Sequence, residues 1–444
     1  MTKSVGIIGG GLAGISSAVF LKEKGYDVSL FEATPKFGGR TYSWFDKDSK
    51  QYLDNGQHIL AGWYENTFEF MKIIGTFGLL EFKKSLEIDF LNTQKEQFKL
   101  YCPDVFTPLN IFLGLLKFKG FGLKDILSVF RLRKLVKTNS GLDNYDNAKE
   151  ILNYIGQTDN LIKYFWNPFI YAVFNTSAEN VSAGIFLNLI RRGFKTKYSS
   201  ALLIPKTNLN ELFIEPSENY FAKNNVKVKK NSRINNLRID NYKIKCLILE
   251  NGDEISFDYY ISAVPFYSFN KLFAFKDFNK YFSDTENLRA STIISVHLFI
   301  EDDIIDCFKE LSNNLMIGLI GTTAQWIFIK GRNHLSLVIS GADILSNNIS
   351  EMNNEEIFNI CKEDIAKCIN GFEKIKISGY RVIKEKRATF VPDSKSSKYR
   401  IPCTCGINNL FLAGDWTDTG LPSTIESAIY SSKKCVNTIT NEET

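Results

Sequence analysis

Apolar and polar positions at the start of the chain predict a strand, a helix and a second strand. An unbroken apolar run at residues 5–8 is typical of a buried parallel strand. Residues 12–24 have the periodicity of an amphipathic helix, which Gly25 ends, and residues 28–31 form the next apolar run. This order predicts a βαβ unit and an α/β fold.

Further elements follow along the chain. Residues 66–200 alternate helical periodicity with short polar breaks, and we detect no internal repeat. A helix is predicted at residues 354–370. Strands are predicted from apolar, β-branched and aromatic runs at residues 226–234, 243–249, 259–265, 293–300, 335–340 and 409–413.

The turn after the first strand has the spacing G-x-G-x-x-G. Gly9 permits the tight turn, Gly11 lets the backbone approach a pyrophosphate, and Gly14 lets the helix pack closely on the sheet. The helix begins at Leu12 and Ala13, where free N–H groups can meet the phosphate charge. The turn therefore predicts a dinucleotide site, although glycine-rich turns also occur in other α/β proteins.

An acidic residue ends the second strand. Glu32 follows Gly9 at close to the separation of about 20 residues expected for a carboxylate that hydrogen-bonds a ribose hydroxyl. The loop after it has paired glycines, which let the backbone approach a ligand, and an arginine that can meet phosphate. We assign these further residues to the cofactor: Ala33, Gly38, Gly39, Arg40 and Thr41.

A dense set of polar side chains follows at residues 54–58. Polar side chains cost energy when they are buried without partners, so this segment is either a solvated turn or faces a polar ligand. Asp54 and His58 are candidate catalytic residues, although a hydrogen-bonded structural histidine explains His58 equally well. The cofactor-binding residues predicted here are Asn55, Gly56, Gln57 and His58.

The C-terminal apolar run leads directly into a Gly-Asp pair and a second turn. Pro422 suits the first turn of a helix, whose exposed N–H groups would face a ligand carbonyl or phosphate. Glu426 is the third catalytic candidate because it lies beside this turn. The cofactor-binding residues predicted here are Gly414, Asp415, Leu421, Ser423, Thr424 and Ile425.

Composition narrows the function classes. With 44% hydrophobic residues the chain can bury ample cores, and its net charge of +5 is too mild to indicate nucleic acid binding. The eight cysteines, Cys307 among them, form no C-x-x-C pair and have no histidine at metal spacing. We therefore predict reduced thiols, no metal and a cytoplasmic protein. No apolar run approaches the ~18 residues of a membrane span, and no signal peptide is apparent.

The aromatic content bears on the type of substrate, and one basic segment bears on membrane contact. The 36 Phe and 19 Tyr suit an ordinary core or a long apolar tunnel. Residues 108–137 interleave Phe and Leu with Lys and Arg. That pattern fits a basic amphipathic helix on the inner membrane face and also fits a plain core-facing helix.

Three of these motifs together resemble one superfamily. The G-x-G-x-x-G turn, the turn at residues 38–40 and the block at residues 54–58 are similar to those of the FAD-dependent amine oxidases and carotenoid desaturases. The resemblance implies bound FAD, with Ile234 where the family packs backbone against adenine. It also implies a Rossmann-like FAD-binding domain from residues 1–65, 201–265 and 385–444, and a mixed α+β substrate domain from residues 66–200 and 266–384.

Longer blocks resemble one group within that superfamily. Residues 54–58, 201–216, 385–390 and 413–428 are similar to the squalene-associated FAD-dependent desaturases, apart from Ser423 in place of an expected alanine. This resemblance implies an apolar isoprenoid substrate and the reductive removal of the hydroxyl of hydroxysqualene to give squalene, a hopanoid and triterpenoid precursor. No second G-x-G-x-x-G for a nicotinamide is apparent, so the electron donor stays open.

Three other functions remain open at this point. A phytoene-type carotenoid desaturase uses the same cofactor in the oxidative direction. A flavin amine oxidase would act on a soluble amine. A non-enzymatic prenyl-binding escort protein shares the architecture without flavin chemistry, but the intact turns at residues 38–40 and 414–415 argue against it.

Overall fold

The computed structural model describes the chain except for residues 1, 84, 107–108, 139–144, 197, 302–303, 305–307, 309–315, 346–347 and 443–444. Pro108 and Cys307, which enter two of the predictions above, lie outside the described residues.

The described part contains runs of strands and runs of helices along its whole length. Its strands are β1 (Ser4–Ile8), β2 (Asp27–Phe31), β3 (Ser43–Asp46), β4 (Gln51–Asp54), β5 (Leu60–Ala61), β6 (Leu80–Phe82), β7 (Leu86–Asn92), β8 (Gln97–Cys102), β9 (Leu202–Pro205), β10 (Lys227–Lys229), β11 (Ile234–Asp240), β12 (Lys243–Leu249), β13 (Glu254–Ile255), β14 (Tyr259–Ser262), β15 (Ala290–Ile300), β16 (Met316–Ile320), β17 (Trp326–Gly331), β18 (His334–Ser340), β19 (Ile377–Phe390) and β20 (Leu410–Leu412). Its α-helices are α1 (Leu12–Glu23), α2 (Glu65–Ile73), α3 (Leu109–Leu116), α4 (Leu123–Thr138), α5 (Ala148–Ile155), α6 (Asp159–Leu161), α7 (Asn167–Phe174), α8 (Ala183–Gly193), α9 (Glu215–Lys223), α10 (Phe266–Phe269), α11 (Phe275–Tyr281), α12 (Asn354–Cys368), α13 (Ser394–Tyr399) and α14 (Ile425–Asn441).

A parallel five-stranded sheet brings the two ends of the chain together. Its order is β10-β2-β1-β14-β20, and every neighbouring pair is parallel. Helices α1 and α14 pack against each other, and the Oγ atoms of Ser16 and Ser432 lie 2.8 Å apart between them. Because all five strands are parallel, their carboxyl ends lie at one edge, where a ligand site is expected in an open α/β sheet.

The largest sheet in the described part has seven strands. Its order is β19-β15-β18-β17-β16-β7-β8, and it is antiparallel except between β16 and β7. Helix α12 packs against β15 and β19. The domain boundary predicted at residue 385 falls inside β19. A parallel sheet and a separate mixed α+β layer confirm the predicted fold class.

Three predicted elements differ from the structure. Helix α1 is not amphipathic: its residues 12–21 are all buried, because it lies between the parallel sheet and α14. The strand predicted at residues 226–234 is two strands, β10 and β11, separated at Asn231, which has a left-handed φ of 51°. The segment 108–137 contains two helices, α3 and α4, with Gly120 at a φ of 81° between them.

The described helices also bear on membrane crossing. None of them combines the length and the apolar character that a transmembrane span requires.

Candidate active site

A cavity of about 870 Å³ joins the two sheets. At one end it is lined by the glycine turns that follow β1 and β2, and at the other end by β7, β8, β17 and β18. A single continuous space therefore connects a nucleotide-type cradle with the second sheet.

The turn after β1 is shaped for a close backbone approach. Gly9 has a φ of 105°, a conformation that favours glycine. A Cβ on Gly14 would overlap the carbonyl oxygen of Gly9, so Gly14 is required for packing. Gly11 is the N-cap of α1 and makes no side-chain cap hydrogen bond. The first N–H groups of α1 thus stay available to a phosphate at the cavity wall.

Glu32 is held beside the first glycine turn by backbone donors. The N–H of Gly10 donates to its Oε2 at 2.7 Å, and the N–H of Thr34 donates to its Oε1 at 2.8 Å. Ile234 lines the same end of the cavity. A carboxylate fixed in this way is oriented to accept a further hydrogen bond from a ribose hydroxyl.

An ion pair joins the turn at residues 38–40 to the C-terminal Gly-Asp turn. Arg40 Nη2 lies 2.5 Å from Asp415 Oδ1, and Arg40 Nη1 donates to the carbonyl of Ala388 at 2.5 Å. The hydroxyl of Ser423 donates to the other oxygen of Asp415. Burial disfavours the charge on Arg40, but Asp415 outweighs it and raises the pKa of the guanidinium.

A second arginine, Arg400, hydrogen-bonds the backbone of the Gly-Asp turn. Arg400 is 5% exposed and donates to the carbonyl oxygens of Asp415, Trp416 and Thr417. Burial lowers the pKa of Arg400 to about 10, so it stays charged at neutral pH. Arg400 therefore holds the backbone of this turn, where the carbonyls of Asp415 and Thr417 also accept from Ser427 Oγ and the N–H of Thr419.

The polar segment 54–58 forms the wall between the cofactor end and the second sheet. Ser43 donates to Asp54 Oδ1 at 2.6 Å. Lys330, from β17, lies 3.2 Å from Asp54 Oδ2 and donates to Gln57 Oε1 at 2.7 Å. Burial lowers the pKa of His58, so its imidazole is neutral at pH 7.

Most of the predicted site residues line this cavity. They are Gly9, Gly11, Leu12, Ala13, Glu32, Ala33, Gly38, Gly39, Arg40, Thr41, Asn55, Gly56, Gln57, His58, Ile234, Gly414, Asp415, Ser423, Thr424 and Ile425. Gly14, Leu421, Asp54 and Glu426 are not part of the lining.

The hydrogen bonds of Glu426 indicate a structural role. Its side chain is fully buried and accepts hydrogen bonds from the backbone N–H groups of Asn66 and Thr67 and from both of their side chains. These two residues open α2, so the carboxylate caps that helix. This placement argues against the prediction that Glu426 is a proton donor.

The prediction for Pro422 was wrong. Helix α14 begins at Ile425, and Thr424 is its N-cap, with a side chain that accepts from the N–H of Ser427. Pro422 therefore precedes the helix and is not in its first turn.

The far end of the cavity is apolar. Its lining includes Leu86, Ile88, Phe90, Leu115, Phe165, Phe169 and Phe328, which carry no charge. Trp326 and Ser295 also line the cavity, and the indole Nε1 and the hydroxyl Oγ make no hydrogen bond to the described residues. Both atoms are fully buried, so they lie behind the cavity wall and not at its surface.

Sequence reasoning missed the residues that the second sheet contributes. Lys330, Ser295 and the two histidines His297 and His334 come from three strands that are distant in sequence from residues 54–58. One clue was present, because Ser295 and His297 alternate with apolar residues on the predicted strand. Nothing in the sequence indicated that Lys330 pairs with Asp54.

The cradle fits FAD. Three features face one elongated space. They are the uncapped N-terminus of α1, the fixed carboxylate of Glu32, and the left-handed glycines Gly38 and Gly39. A Cβ on Gly39 would lie 3.2 Å from Gly11 Cα, so the two turns approach each other as closely as glycines allow. The Arg40–Asp415 pair and His58 add polar groups to the lining of the same cavity.

Comparison with known proteins supports the same cofactor. Residues 12–440 match the family model for flavin containing amine oxidoreductases. Hydroxysqualene dehydroxylase from Zymomonas mobilis is 27% identical over 96% of this chain and 96% of its own length. A 15-cis-phytoene desaturase from Capsicum annuum is 24% identical over 98% of this chain and 77% of its own.

A solved structure agrees with the architecture. An oxidoreductase from Methanosarcina mazei superimposes with a TM-score of 0.75 at 15% identity, over 98% of this chain and 100% of that one. At this identity the likeness concerns the fold alone.

Proposed function

Because this chain belongs to the flavin containing amine oxidoreductase family, we propose that it is an FAD-dependent oxidoreductase that removes the hydroxyl group of hydroxysqualene to give squalene. The family establishes the flavin chemistry. The substrate and the direction of the reaction are the proposal.

One observation carries the proposal. The cavity runs from the FAD cradle into an uncharged end lined by aliphatic and aromatic side chains, including Phe165, Phe169 and Phe328. Such a lining favours a long hydrocarbon over a soluble amine, because an ammonium group would lose its hydration there without meeting an acid. The match to a hydroxysqualene dehydroxylase over nearly the whole of both chains supports the same substrate class.

The chemistry divides between cofactor and protein. Bound and reduced FAD supplies a hydride to carbon. The protein must hold the allylic carbon close to the cofactor, exclude water that would trap a developing cation, and provide a proton for the leaving hydroxyl. The apolar end supplies the first two requirements, because its side chains surround a hydrocarbon and offer no charge that would retain water.

Among the three candidates from the sequence, we propose that His58 hydrogen-bonds the hydroxyl that leaves, since a neutral imidazole can donate its ring N–H. It lines the cavity, whereas Asp54 and Glu426 do not. Lys330 and Ser43 hold Asp54, which directly precedes Asn55 and Gly56 in the cavity wall, so we assign Asp54 a positioning role.

The direct test is product analysis. Purified protein with FAD, reduced chemically under anaerobic conditions, is incubated with hydroxysqualene and extracted into hexane. We expect squalene and one equivalent of oxidised flavin for each product molecule. Recovery of unchanged hydroxysqualene from protein that retains FAD would contradict the proposed substrate.

Phytoene desaturation is the second candidate, because a phytoene desaturase matches 98% of this chain. It is less favoured, because that relative is covered over 77% of its length. The same preparation with oxidised FAD and phytoene separates the two functions, since desaturation would reduce the flavin and form new double bonds.

We also propose that the protein is cytoplasmic and docks on the inner membrane face through α3 and α4. Leu115 of α3 lines the cavity, and the neighbouring Leu116 is exposed. Leu127 and Phe130 of α4 are 60% and 56% exposed. Lys and Arg residues are interleaved with these apolar side chains. This arrangement would let an isoprenoid pass from a lipid surface into the apolar end of the cavity.

A further inference from the structure

Three cysteines lie near one another beside the last strand of the parallel sheet. Cys403 and Cys405 precede β20, and Cys435 is on α14. The backbone N–H of Leu412, in β20, donates to the carbonyl of Cys403 at 2.9 Å. The thiol of Cys435 donates to the carbonyl of Leu412 at 3.2 Å. One residue of β20 therefore holds both Cys403 and Cys435.

Two of these thiols contact each other. The thiol of Cys435 hydrogen-bonds Cys403. Cys403 Sγ also lies 3.7 Å from Oγ1 of Thr438, which is three residues after Cys435 and therefore on the same face of α14. The third thiol, that of Cys405, donates to the carbonyl of Leu410 at 3.4 Å. Cys403 and Cys435 are thus the two cysteines whose side chains meet.

Cys403 has the environment of a reactive thiol. The hydrogen bond from Cys435 lowers the pKa of Cys403 to about 6, with help from Thr438 and from the positive charge of Lys434. Burial and the facing Cys403 raise the pKa of Cys435 well above its usual value. At pH 7 the pair holds one thiolate and one thiol, which is the arrangement of a reactive cysteine beside a resolving cysteine.

The reactive member of the pair belongs to a surface segment. Cys403 is 9% exposed, and its neighbours Pro402 and Thr404 are both exposed. Cys435 is fully buried. A small oxidant that enters from solvent therefore meets Cys403 first, and Cys435 reacts through Cys403.

The two cysteines enclose the C-terminal part of the cofactor cradle. Gly414, Asp415 and residues 423–425 lie between positions 403 and 435, and all of them line the cavity. A covalent bond between Cys403 and Cys435 would close this stretch of chain into a loop. Such a bond restricts the unfolded chain and so favours the folded turn.

We propose that Cys403 and Cys435 form a reversible disulfide when the protein meets hydrogen peroxide, and that this bond holds the C-terminal turn around FAD. The site is separate from the proposed dehydroxylation and does not depend on which isoprenoid the protein converts.

The reaction has two steps, and both are balanced. The Cys403 thiolate attacks one oxygen of the peroxide, the O–O bond breaks, hydroxide leaves, and Cys403 becomes a sulfenic acid. The sulfur of Cys435 then attacks the sulfur of Cys403, and the sulfenic oxygen leaves as water with the proton of Cys435. Two electrons pass from the two sulfur atoms to the peroxide, which ends as one hydroxide and one water.

Peptide mass spectrometry tests the site directly. The full chain loaded with FAD is treated with a small excess of hydrogen peroxide, alkylated and digested without reductant. We expect a peptide that joins Cys403 to Cys435 and that dithiothreitol separates. Cys361 and Cys368 are controls within the same chain, because burial raises the pKa of both thiols and should keep them reduced. Oxidation of Cys403 no faster than that of Cys361, or a bond to Cys405 instead, would overturn the pair.

A variant separates the two steps. Cys435→Ser keeps a hydrogen-bond donor beside Cys403 but cannot form the disulfide, so Cys403 should stop at the sulfenic acid, which dimedone labels. Cys361→Ser is the matched control, since it also replaces a fully buried thiol, and it should form the cross-link as the wild type does. If Cys435→Ser protein that retains FAD takes up no dimedone at Cys403, then Cys403 is not the reactive thiol.

The effect on the cofactor is measured separately. We expect the oxidised wild type to release FAD several-fold more slowly than the reduced protein, followed by flavin fluorescence, and to have a higher Tm. Cys403→Ala should show no difference between the two treatments. Equal release rates for oxidised and reduced wild type, or the same slowing in Cys403→Ala, would contradict a disulfide that holds the turn.

Discussion

Arg40 Nη2 and Asp415 Oδ1 lie 2.5 Å apart although 375 residues separate them in the chain. This ion pair joins a turn near the N-terminus to a turn near the C-terminus across the cofactor end of the cavity. Asp415 is 8% exposed at its side chain, so the pair is partly shielded from solvent. The two ends of the chain thus form one binding surface.

Asp415→Asn should weaken FAD binding and the fold together. The substitution leaves Arg40 without a carboxylate partner. Because the pair is partly shielded, the free energy of unfolding should fall by about 2 kcal/mol, a loss between those measured for exposed and for buried ion pairs. Denaturant unfolding and the flavin content after gel filtration measure the two effects. Lys149→Ala removes an exposed pair with Glu179 and should leave the denaturant midpoint nearly unchanged. Equal losses in both variants would contradict a special role for the Arg40–Asp415 pair.

Two glycines of the first turn should respond differently to alanine. Gly14→Ala should destabilise the protein by more than about 3 kcal/mol even without FAD, because the Cβ would overlap the carbonyl of Gly9. Gly11→Ala meets no protein atom within 4 Å and should fold normally while losing FAD affinity. Thermal unfolding of the FAD-free protein and fluorescence titration with FAD separate these effects. Normal FAD affinity in Gly11→Ala would show that the backbone does not approach the pyrophosphate there.

Glu426→Ala should act on stability and leave the chemistry intact. Removing the carboxylate leaves the opening N–H groups of α2 without acceptors, at a cost of about 3 kcal/mol. Glu426→Gln keeps an acceptor oxygen and should lose less. Urea unfolding measures the difference. A loss of turnover in Glu426→Gln at unchanged stability would restore Glu426 as a proton donor.

Stability should fall in mildly acidic solution because of the buried histidines. An unfolded histidine binds a proton near pH 6.5, whereas folded His297 and His334 do so near pH 4 and pH 3. The unfolded chain therefore binds more protons below pH 6.5, and each histidine lowers the free energy of unfolding by about 1.4 kcal/mol per pH unit from pH 6.5 toward pH 4. Denaturant unfolding of the wild type and of the double variant His297→Gln/His334→Gln at pH 7, 6 and 5 checks this. Parallel pH dependences of the two proteins would disprove it.

Membrane docking should depend on the exposed face of α4. Leu127→Ser/Phe130→Ser should weaken binding to vesicles that contain anionic lipid by roughly 30-fold or more, measured by sedimentation, because burial of each of the two apolar side chains contributes about 1–2 kcal/mol. Phe45→Ser/Tyr52→Ser is the matched control, since these aromatic residues are 50% and 53% exposed on the hairpin of β3 and β4. Equal sedimentation of both double variants would contradict docking through α4.

The sequence by itself determined the cofactor half of this protein. The spacing of Gly9, Gly11 and Gly14, the acid at position 32 and the Gly-Asp pair after the last apolar run depend on local backbone geometry, which fixed spacings encode directly. Four strands of the parallel sheet, β1, β2, β14 and β20, followed from the same patterns, because they are buried and appear as mainly apolar runs.

Tertiary structure alone decided what faces the substrate end. His297 and His334 lie 2.9 Å apart because β15 and β18 are neighbours in an antiparallel sheet, and no spacing in the sequence specifies that pairing. Long-range packing also buried every side of the first ten residues of α1 and turned Glu426 toward the start of α2. Side-chain partners across strands depend on register and topology, so residues that act together there are brought close only by the folded chain.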